Sequence, residues 1–246
     1  MAETSRIGLG RVPWRGGQVA IGILLVVLSL VLASAIALPL GILAGGYKTA
    51  VVAWTSSQLL GLAILGIVWY LGPKRYRVPI SSLGLTSPGL PWPRVALLVI
   101  GALVASLAAT ALYGWLVKLL GYEPLKPPDI PPGIAFPGLA AILTFQALAL
   151  WTPLAEEAFF RGFVLAGLVP RLGMVRAVVA SAAIFSIFHI SQGSPGVLVP
   201  IFVTGLLLAW LYYRTGSLWA SILAHAGQNA VALAVTLYLP GARQLS

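Results

Sequence analysis

Long apolar stretches separated by short polar loops dominate the pattern of this chain. Seven of them approach or exceed the roughly 20 residues that a helix needs to cross a bilayer. They lie at 18–44, 50–71, 95–119, 137–169, 175–190, 197–213 and 217–239. This pattern predicts an all-α fold, a polytopic membrane helix bundle with about seven transmembrane helices. The fifth and sixth stretches are short, so we expect neighbouring helices or a locally thin bilayer to cover their ends.

Composition and charge support an integral membrane protein and narrow its partners. Hydrophobic residues make up 59% of the chain and charged residues 8%, whereas about a quarter of a soluble chain is charged. The absence of cysteine excludes disulfides, thiolate catalysis and cysteine-ligated metals. The net charge of +10 arises from basic residues scattered over loops, which favours basic cytoplasmic loops over nucleic-acid binding.

The loops also predict an orientation and a division of the chain. Basic residues such as Arg11, Arg75 and Arg171 fall mainly on one side, which predicts a cytoplasmic N-terminus in a multi-pass protein of the cell membrane. The predicted parts are a short basic N-terminus, a three-helix membrane part, a Pro-rich external loop and a four-helix membrane core. Their bounds are 1–17, 18–120, 121–136 and 137–240.

Acidic residues and histidines are rare, and their positions are unusual. The chain has five acidic residues, and two of them, Glu156 and Glu157, are adjacent inside the fourth apolar stretch. Burying an ionised carboxylate in hydrocarbon is costly, and a like-charged neighbour adds repulsion. The two histidines, His189 and His225, also lie in apolar stretches. These residues outline a buried catalytic or ion-handling site.

Helical spacing predicts how these side chains are divided. Glu157 and Arg161 are four residues apart in the favourable order for an ion pair, whereas Glu156 points about 100° away. His225 and Asn229 share one face of the seventh stretch. The alternative interpretation is structural, with an ion-pair cluster joining two helices and histidines that only bond between helices.

Depth in the bilayer favours one shared site. At 1.5 Å per residue, the polar side chains of three stretches lie about 16–22 Å from the nearest predicted cytoplasmic basic residue. The fourth stretch is too long for a straight span, and we expect Pro153 to kink it. A kinked helix beside a buried acid is tolerated where protein or trapped water lines a cavity.

Two kinds of hydrolytic chemistry fit these residue types. A carboxylate and an imidazole can deprotonate a water molecule, and a second imidazole with an amide can donate hydrogen bonds to an oxyanion. Alternatively, Glu156, His189 and His225 could hold Zn²⁺ with one open position. The sequence has no His-Glu-x-x-His motif, so a metal site needs ligands from three separate helices.

Three motifs in the C-terminal half of the chain carry a family resemblance. They are Glu156-Glu157-x-x-x-Arg161, Phe185-x-x-x-His189 and His225-x-x-x-Asn229. Their order and spacing resemble the CPBP intramembrane proteases, the family of CAAX prenyl endopeptidases and bacteriocin-processing enzymes also called Abi. The resemblance covers about 155–232, which makes the predicted four-helix part the catalytic core.

The resemblance implies a role for each pair of residues. Glu156 and His189 are expected to activate the attacking water. His225 and Asn229 are expected to form the oxyanion hole. Both a metalloprotease and a metal-free, glutamate-dependent mechanism are argued for this family, so Zn²⁺ or no cofactor at all stays open.

Glu157 and Arg161 are the remaining pair, and the resemblance implies that they orient the site and balance its charge. The expected activity is cleavage of a peptide bond in a membrane-associated, possibly prenylated, protein or peptide. The expected partners are therefore the lipid bilayer and that substrate, with no nucleic acid. Two other hypotheses are a non-catalytic membrane scaffold or immunity protein, and a proton-coupled transporter.

Overall fold

The computed structural model describes residues 12–126, 141–190 and 194–238. Within these ranges every regular element is helical and no strand occurs, so the predicted all-α membrane bundle is confirmed. Most of the predicted Pro-rich loop at 121–136 and most of the predicted N-terminus at 1–17 lie outside the described residues.

Three long helices form the N-terminal part. They are α1 (Gly16–Leu43), α2 (Lys48–Trp69) and α3 (Trp92–Leu120). α2 continues into a short π-helix named π1 (Tyr70–Lys74). Their large apolar side chains are widely exposed, as at Leu43 and Leu97, which are 83% and 70% exposed. Such exposure is what a lipid-facing surface requires, because lipid tails replace water there.

The C-terminal part begins with one continuous helical stretch whose helix type changes along its length. It consists of α4 (Ala141–Thr144), a π-helix named π2 (Phe145–Trp151), α5 (Thr152–Glu157), a second π-helix named π3 (Ala158–Leu165) and α6 (Ala166–Leu172). Three further helices follow it. They are α7 (Met174–Ile187), α8 (Leu198–Thr215) and α9 (Leu218–Tyr238).

Five helical stretches of the described chain are long and apolar enough to cross a membrane. They are Gly16–Leu43, Gly45–Lys74, Trp92–Leu120, Pro195–Thr215 and Leu218–Tyr238. The fourth and fifth predicted stretches are also helical but fall outside this set. The fourth carries Glu156, Glu157 and Arg161, and α7 in the fifth has only 14 residues.

The backbone around Pro153 is helical but irregular. Trp151 and Thr152 keep helical dihedral angles, so the chain stays helical through the proline, and the kink itself stays a prediction. The irregularity appears as the π-helices π2 and π3 on either side of α5. π-helical turns are uncommon and are frequent at functional sites.

The π3 segment forms the centre of the molecule, since all eight of its residues are buried. Its phenylalanines form an aromatic cluster with side chains of α7 and the turn after it. Phe160 makes edge-to-face contacts with Phe159 and Phe185, each with ring centroids 5.0 Å apart. This geometry is favourable for aromatic pairs and fixes α7 against the helix that carries the glutamates.

A loop from the N-terminal part holds the start of α9. The Gly84 carbonyl accepts a hydrogen bond from the Leu218 N–H at 2.8 Å, and the Leu83 carbonyl accepts one from the Tyr212 hydroxyl at 3.2 Å. Gly84 has φ 89°, a left-handed conformation that glycine adopts without strain. These bonds fix the end of α9 from which His225 projects two turns further on.

Candidate active site

Three helical elements carry the polar residues of the three motifs. Glu156 and Glu157 end α5, His225 lies in the first half of α9, and His189 lies just beyond the last turn of α7. The two glutamates and His225 are within direct reach of one another. The structure therefore joins the first and third motifs through side-chain contacts.

Glu157 and Arg161 form a fully buried ion pair, as their four-residue spacing predicts. Arg161 Nη1 donates to Glu157 Oε1 at 2.8 Å, and both side chains have 0% exposure. Arg161 Nη2 donates to the Gly205 carbonyl at 3.1 Å, and its guanidinium lies 4.5 Å above the Phe185 ring. The arginine thus compensates a buried charge and ties the glutamate helix to α7 and α8.

Glu157 also holds the imidazole of His225. His225 Nδ1 lies 2.9 Å from Glu157 Oε1. A carboxylate can only accept, so the proton of this bond belongs to Nδ1. The bond leaves Nε2 as the ring nitrogen directed at other groups. Glu157 is therefore an orienting residue for His225 and is itself oriented by Arg161.

Glu156 lies on the other side of the same imidazole. Its Oε2 is 3.8 Å from His225 Nε2, beyond the range of a direct hydrogen bond. That oxygen is enclosed and has no hydrogen-bond partner in the described structure, although the side chain as a whole keeps 18% exposure. Burying an oxygen of this kind without a partner costs about 1–3 kcal/mol or more.

His189 is half-buried, and its orientation is fixed by its own chain. Nδ1 lies 2.9 Å from the Phe185 carbonyl, and the imidazole packs edge-on against the Phe185 ring at 4.9 Å. Because a carbonyl only accepts, Nδ1 carries the proton and the neutral ring keeps a free lone pair on Nε2. In the described part of the chain, no hydrogen bond joins His189 to either glutamate.

Asn229 contacts the fourth stretch one turn further along α9. Its Nδ2 donates to the Leu148 carbonyl at 2.8 Å. Asn229 is half-buried, and its amide retains a second N–H. His225 and Asn229 therefore both face the stretch that carries the glutamates, as their shared helix face predicts.

The described residues do not assemble the predicted zinc ligands. No three histidine, aspartate or glutamate side chains among them are grouped as a metal site would require. In His225, Nδ1 is taken by Glu157, while His189 Nδ1 bonds to the Phe185 carbonyl. The donor arrangement of Glu156, His189 and His225 thus does not fit a three-ligand zinc centre.

Phe185 is the residue that sequence reasoning undervalued. The centre of its ring lies 4.5 Å from the Arg161 guanidinium carbon. The ring centres of His189 and His225 lie 4.9 Å and 5.7 Å from it. The second motif already held the signal, because Phe185 lies four residues before His189 and thus shares its helix face. The Gly205 and Leu148 carbonyls, by contrast, could not be predicted from the side-chain pattern, because they belong to the backbone.

Comparison with known protein families matches part of the chain. Residues 138–231 match the model described as type II CAAX prenyl endopeptidase Rce1-like. No curated protein and no solved structure matched. The matched range contains all seven named residues of the three motifs, and it supports an integral membrane protease of the CAAX type. Residues 138–231 are thus similar to the Rce1-like type II CAAX prenyl endopeptidases, and this match supports the resemblance to the CPBP intramembrane proteases.

Proposed function

We propose that this protein is an intramembrane endopeptidase that hydrolyses a peptide bond of a membrane-associated protein or peptide with a water molecule activated by Glu156. The observation that carries the proposal is the enclosed Oε2 of Glu156, which lacks a partner and faces His225 Nε2 at 3.8 Å. A water molecule bound there would satisfy an acceptor that otherwise stays unpaired.

Water activation is assigned to Glu156, with His189 as its assistant. Glu156 takes one proton from the water, and the water oxygen forms a bond to the scissile carbonyl carbon. The free lone pair on His189 Nε2 can accept the other water hydrogen, which orients the nucleophile. General-base catalysis by a positioned side chain contributes about 10²–10⁴-fold to such reactions.

The oxyanion is assigned to donors on α9. The second N–H of the Asn229 amide is available, and His225 can donate from Nε2 when that nitrogen carries a proton. Glu157 faces the other ring nitrogen at 2.9 Å and holds the ring in place. Donors fixed before the reaction stabilise the developing charge without reorganisation, and one such donor contributes about 10²–10³-fold.

Collapse of the tetrahedral intermediate completes the reaction. The carbon–nitrogen bond breaks as the carbonyl re-forms, and the leaving nitrogen takes the proton that Glu156 acquired from the water. The products are a free amine and a new carboxylic acid, which keeps the second hydrogen of the water, and Glu156 returns to its starting state. Arg161 stays paired with Glu157 throughout, so the buried charge of the second glutamate remains compensated.

This mechanism contains no step on a metal, since the described donors do not fit a three-ligand zinc centre. The substrate is proposed to reach the site from the bilayer, because the site lies among apolar helices. A prenylated C-terminal peptide is the first substrate to test, given the matched family. An unmodified hydrophobic peptide tests whether the lipid group is required.

The decisive experiment measures cleavage of both peptides by protein reconstituted in liposomes. Glu156→Gln keeps the shape of the side chain and removes its basicity, so we expect cleavage to fall by about 10²–10⁴-fold. Glu123→Gln is the matched control, because Glu123 is an exposed acid outside the site. Thermal unfolding of each variant shows whether it is folded.

Full cleavage by the Glu156→Gln variant would overturn the proposed base. Equal loss in Glu123→Gln would attribute the effect to general charge removal. A parallel measurement with a chelator distinguishes the metal-free mechanism from a zinc-dependent one. A water-activating glutamate predicts cleavage that is unchanged by metal removal. Chelator-sensitive cleavage restored by Zn²⁺ would contradict the metal-free mechanism.

A further inference from the structure

The backbone register at the end of π2 predicts one carbonyl without a backbone donor. The Thr152 N–H donates to the Ala147 carbonyl, five residues earlier, which is the π-helical register. In the same register the next donor, at position 153, would reach the Leu148 carbonyl. Residue 153 is proline, which has no N–H to give.

Asn229 supplies the missing donor from another helix. Its Nδ2 lies 2.8 Å from the Leu148 oxygen. Within the membrane no bulk water competes for such a carbonyl, so a side chain that pairs with it is strongly held. The bond also selects one orientation of the amide, because turning Oδ1 towards a carbonyl oxygen would place two acceptors together.

We infer that Pro153 is a positioning residue for Asn229, because it withholds a backbone donor and leaves the Leu148 carbonyl free to orient the Asn229 amide. One N–H of the amide is then committed to Leu148, and the second is fixed in direction. This inference rests on the proposed function for its catalytic consequence, since the second N–H is the proposed oxyanion donor. The hydrogen-bond relation itself stands independently of any activity.

A double-mutant cycle on stability tests that relation without requiring cleavage. Asn229→Ala should lower the midpoint of thermal unfolding in the wild-type background, since it leaves the Leu148 carbonyl unpaired. In the Pro153→Ala background the loss should be smaller, because residue 153 then offers a backbone N–H. Equal losses in both backgrounds would overturn the inference.

The same cycle on catalysis tests the consequence for the site. Pro153→Ala should lower kcat by about tenfold, as expected for a misdirected donor rather than a missing one, with KM nearly unchanged. In the Asn229→Ala background the proline substitution should change kcat no further. Independent, multiplicative losses would mean that Pro153 acts through something other than Asn229.

Two further variants keep the test interpretable. Pro39→Ala replaces an exposed proline within α1 and should leave cleavage unchanged. Asn229→Asp keeps the side-chain shape but removes the N–H donor, so it should lose as much stability as Asn229→Ala. Full stability of the Asn229→Asp variant would contradict the inference, even if Pro153→Ala does not fold. Stability coupling in a protein that cleaves neither peptide would retain the inference and reject the proposed function.

Discussion

The three N-terminal spans are on average more apolar than the last two spans of the C-terminal part, yet they are less buried. In the most apolar windows of the first three spans, 22%, 17% and 17% of residues are buried, against 50% and 39% in the last two. α1, α2 and α3 therefore face mostly lipid, whereas α8 and α9 pack into protein. The comparison shows that burial here depends on where a helix lies in the bundle rather than on hydrophobicity itself, since α8 packs against α3, α7 and α9.

Backbone carbonyls of the irregular stretch take part in the packing of the bundle. Four carbonyls of π2 and π3 accept side-chain donors from other elements. The pairs are Ser57 with Ala147, Asn229 with Leu148, Ser181 with Phe160, and Trp14 with Phe163. The irregular helix thus joins several elements of the bundle.

The largest expected effect in this comparison comes from removing the buried cation. Arg161→Met keeps most of the side-chain volume but leaves Glu157 uncompensated at 0% exposure. Breaking a buried pair in this way costs about 3–5 kcal/mol. Thermal and denaturant unfolding in detergent measure the loss.

Arg94→Met is the matched control, because Arg94 is exposed at the start of α3. We expect its stability to change by less than about 0.5 kcal/mol. Equal destabilisation by the two substitutions would break the distinction between the lipid-facing helices and the polar core.

A smaller effect is expected from adding one methyl group to a glycine. In Gly162→Ala the new Cβ would lie 2.8 Å from the Leu83 carbonyl oxygen and 3.1 Å from Leu218 Cδ1. Such crowding forces shifts that cost about 1–3 kcal/mol. The change in unfolding midpoint measures it.

Gly101→Ala sharpens the comparison from the other side. A Cβ at Gly101, in α3, has no atom within 4 Å, and alanine is a better helix former by up to about 1 kcal/mol. The substitution should be neutral or stabilising. Destabilisation at Gly101 as large as at Gly162 would contradict the difference in packing between these two positions.

The smallest expected effect concerns a buried polar link between the two parts. The Ser106 hydroxyl on α3 lies 2.6 Å from the Thr204 hydroxyl and donates to Gln228 Oε1 at 2.8 Å. Ser106→Ala should cost about 0.6–1.7 kcal/mol, the range for hydrogen bonds between membrane helices. Unfolding in detergent micelles can resolve a change of this size.

Thr110→Ala is its control, because the Thr110 hydroxyl donates to the Ser106 carbonyl within the same helix. Losing that bond leaves the contact between helices intact, so the expected change is close to zero. A larger loss for Thr110 than for Ser106 would contradict the role of the link.

Local spacing predicted part of the site well. The pairing of Glu157 with Arg161 depends on helical periodicity alone, and the structure has that pair at 2.8 Å. The helical stretches were likewise predictable, because apolar length decides them. The oxyanion and water-activating roles remain predictions, since they depend on chemistry with a substrate.

Other features depend on neighbours that are distant in the sequence. The bond of Glu157 to His225 spans 68 residues, and that of Asn229 to Leu148 spans 81. The π-helices could not be predicted from hydrophobic periodicity, because the fourth stretch is apolar on most of its faces. Pro153 indicated that the helix is irregular. The sequence predicted neither the π-helical form nor Asn229 as the partner of the Leu148 carbonyl.

Trp14 has a consequence for the order in which the protein is made. Its indole is fully buried, donates to the Phe163 carbonyl at 3.0 Å and stacks on the Phe163 ring. The two residues are 149 positions apart, so Trp14 leaves the ribosome long before its partner exists. During synthesis Trp14 cannot form these contacts until π3 has been inserted. The first span of the chain is therefore among the last to reach its final packing.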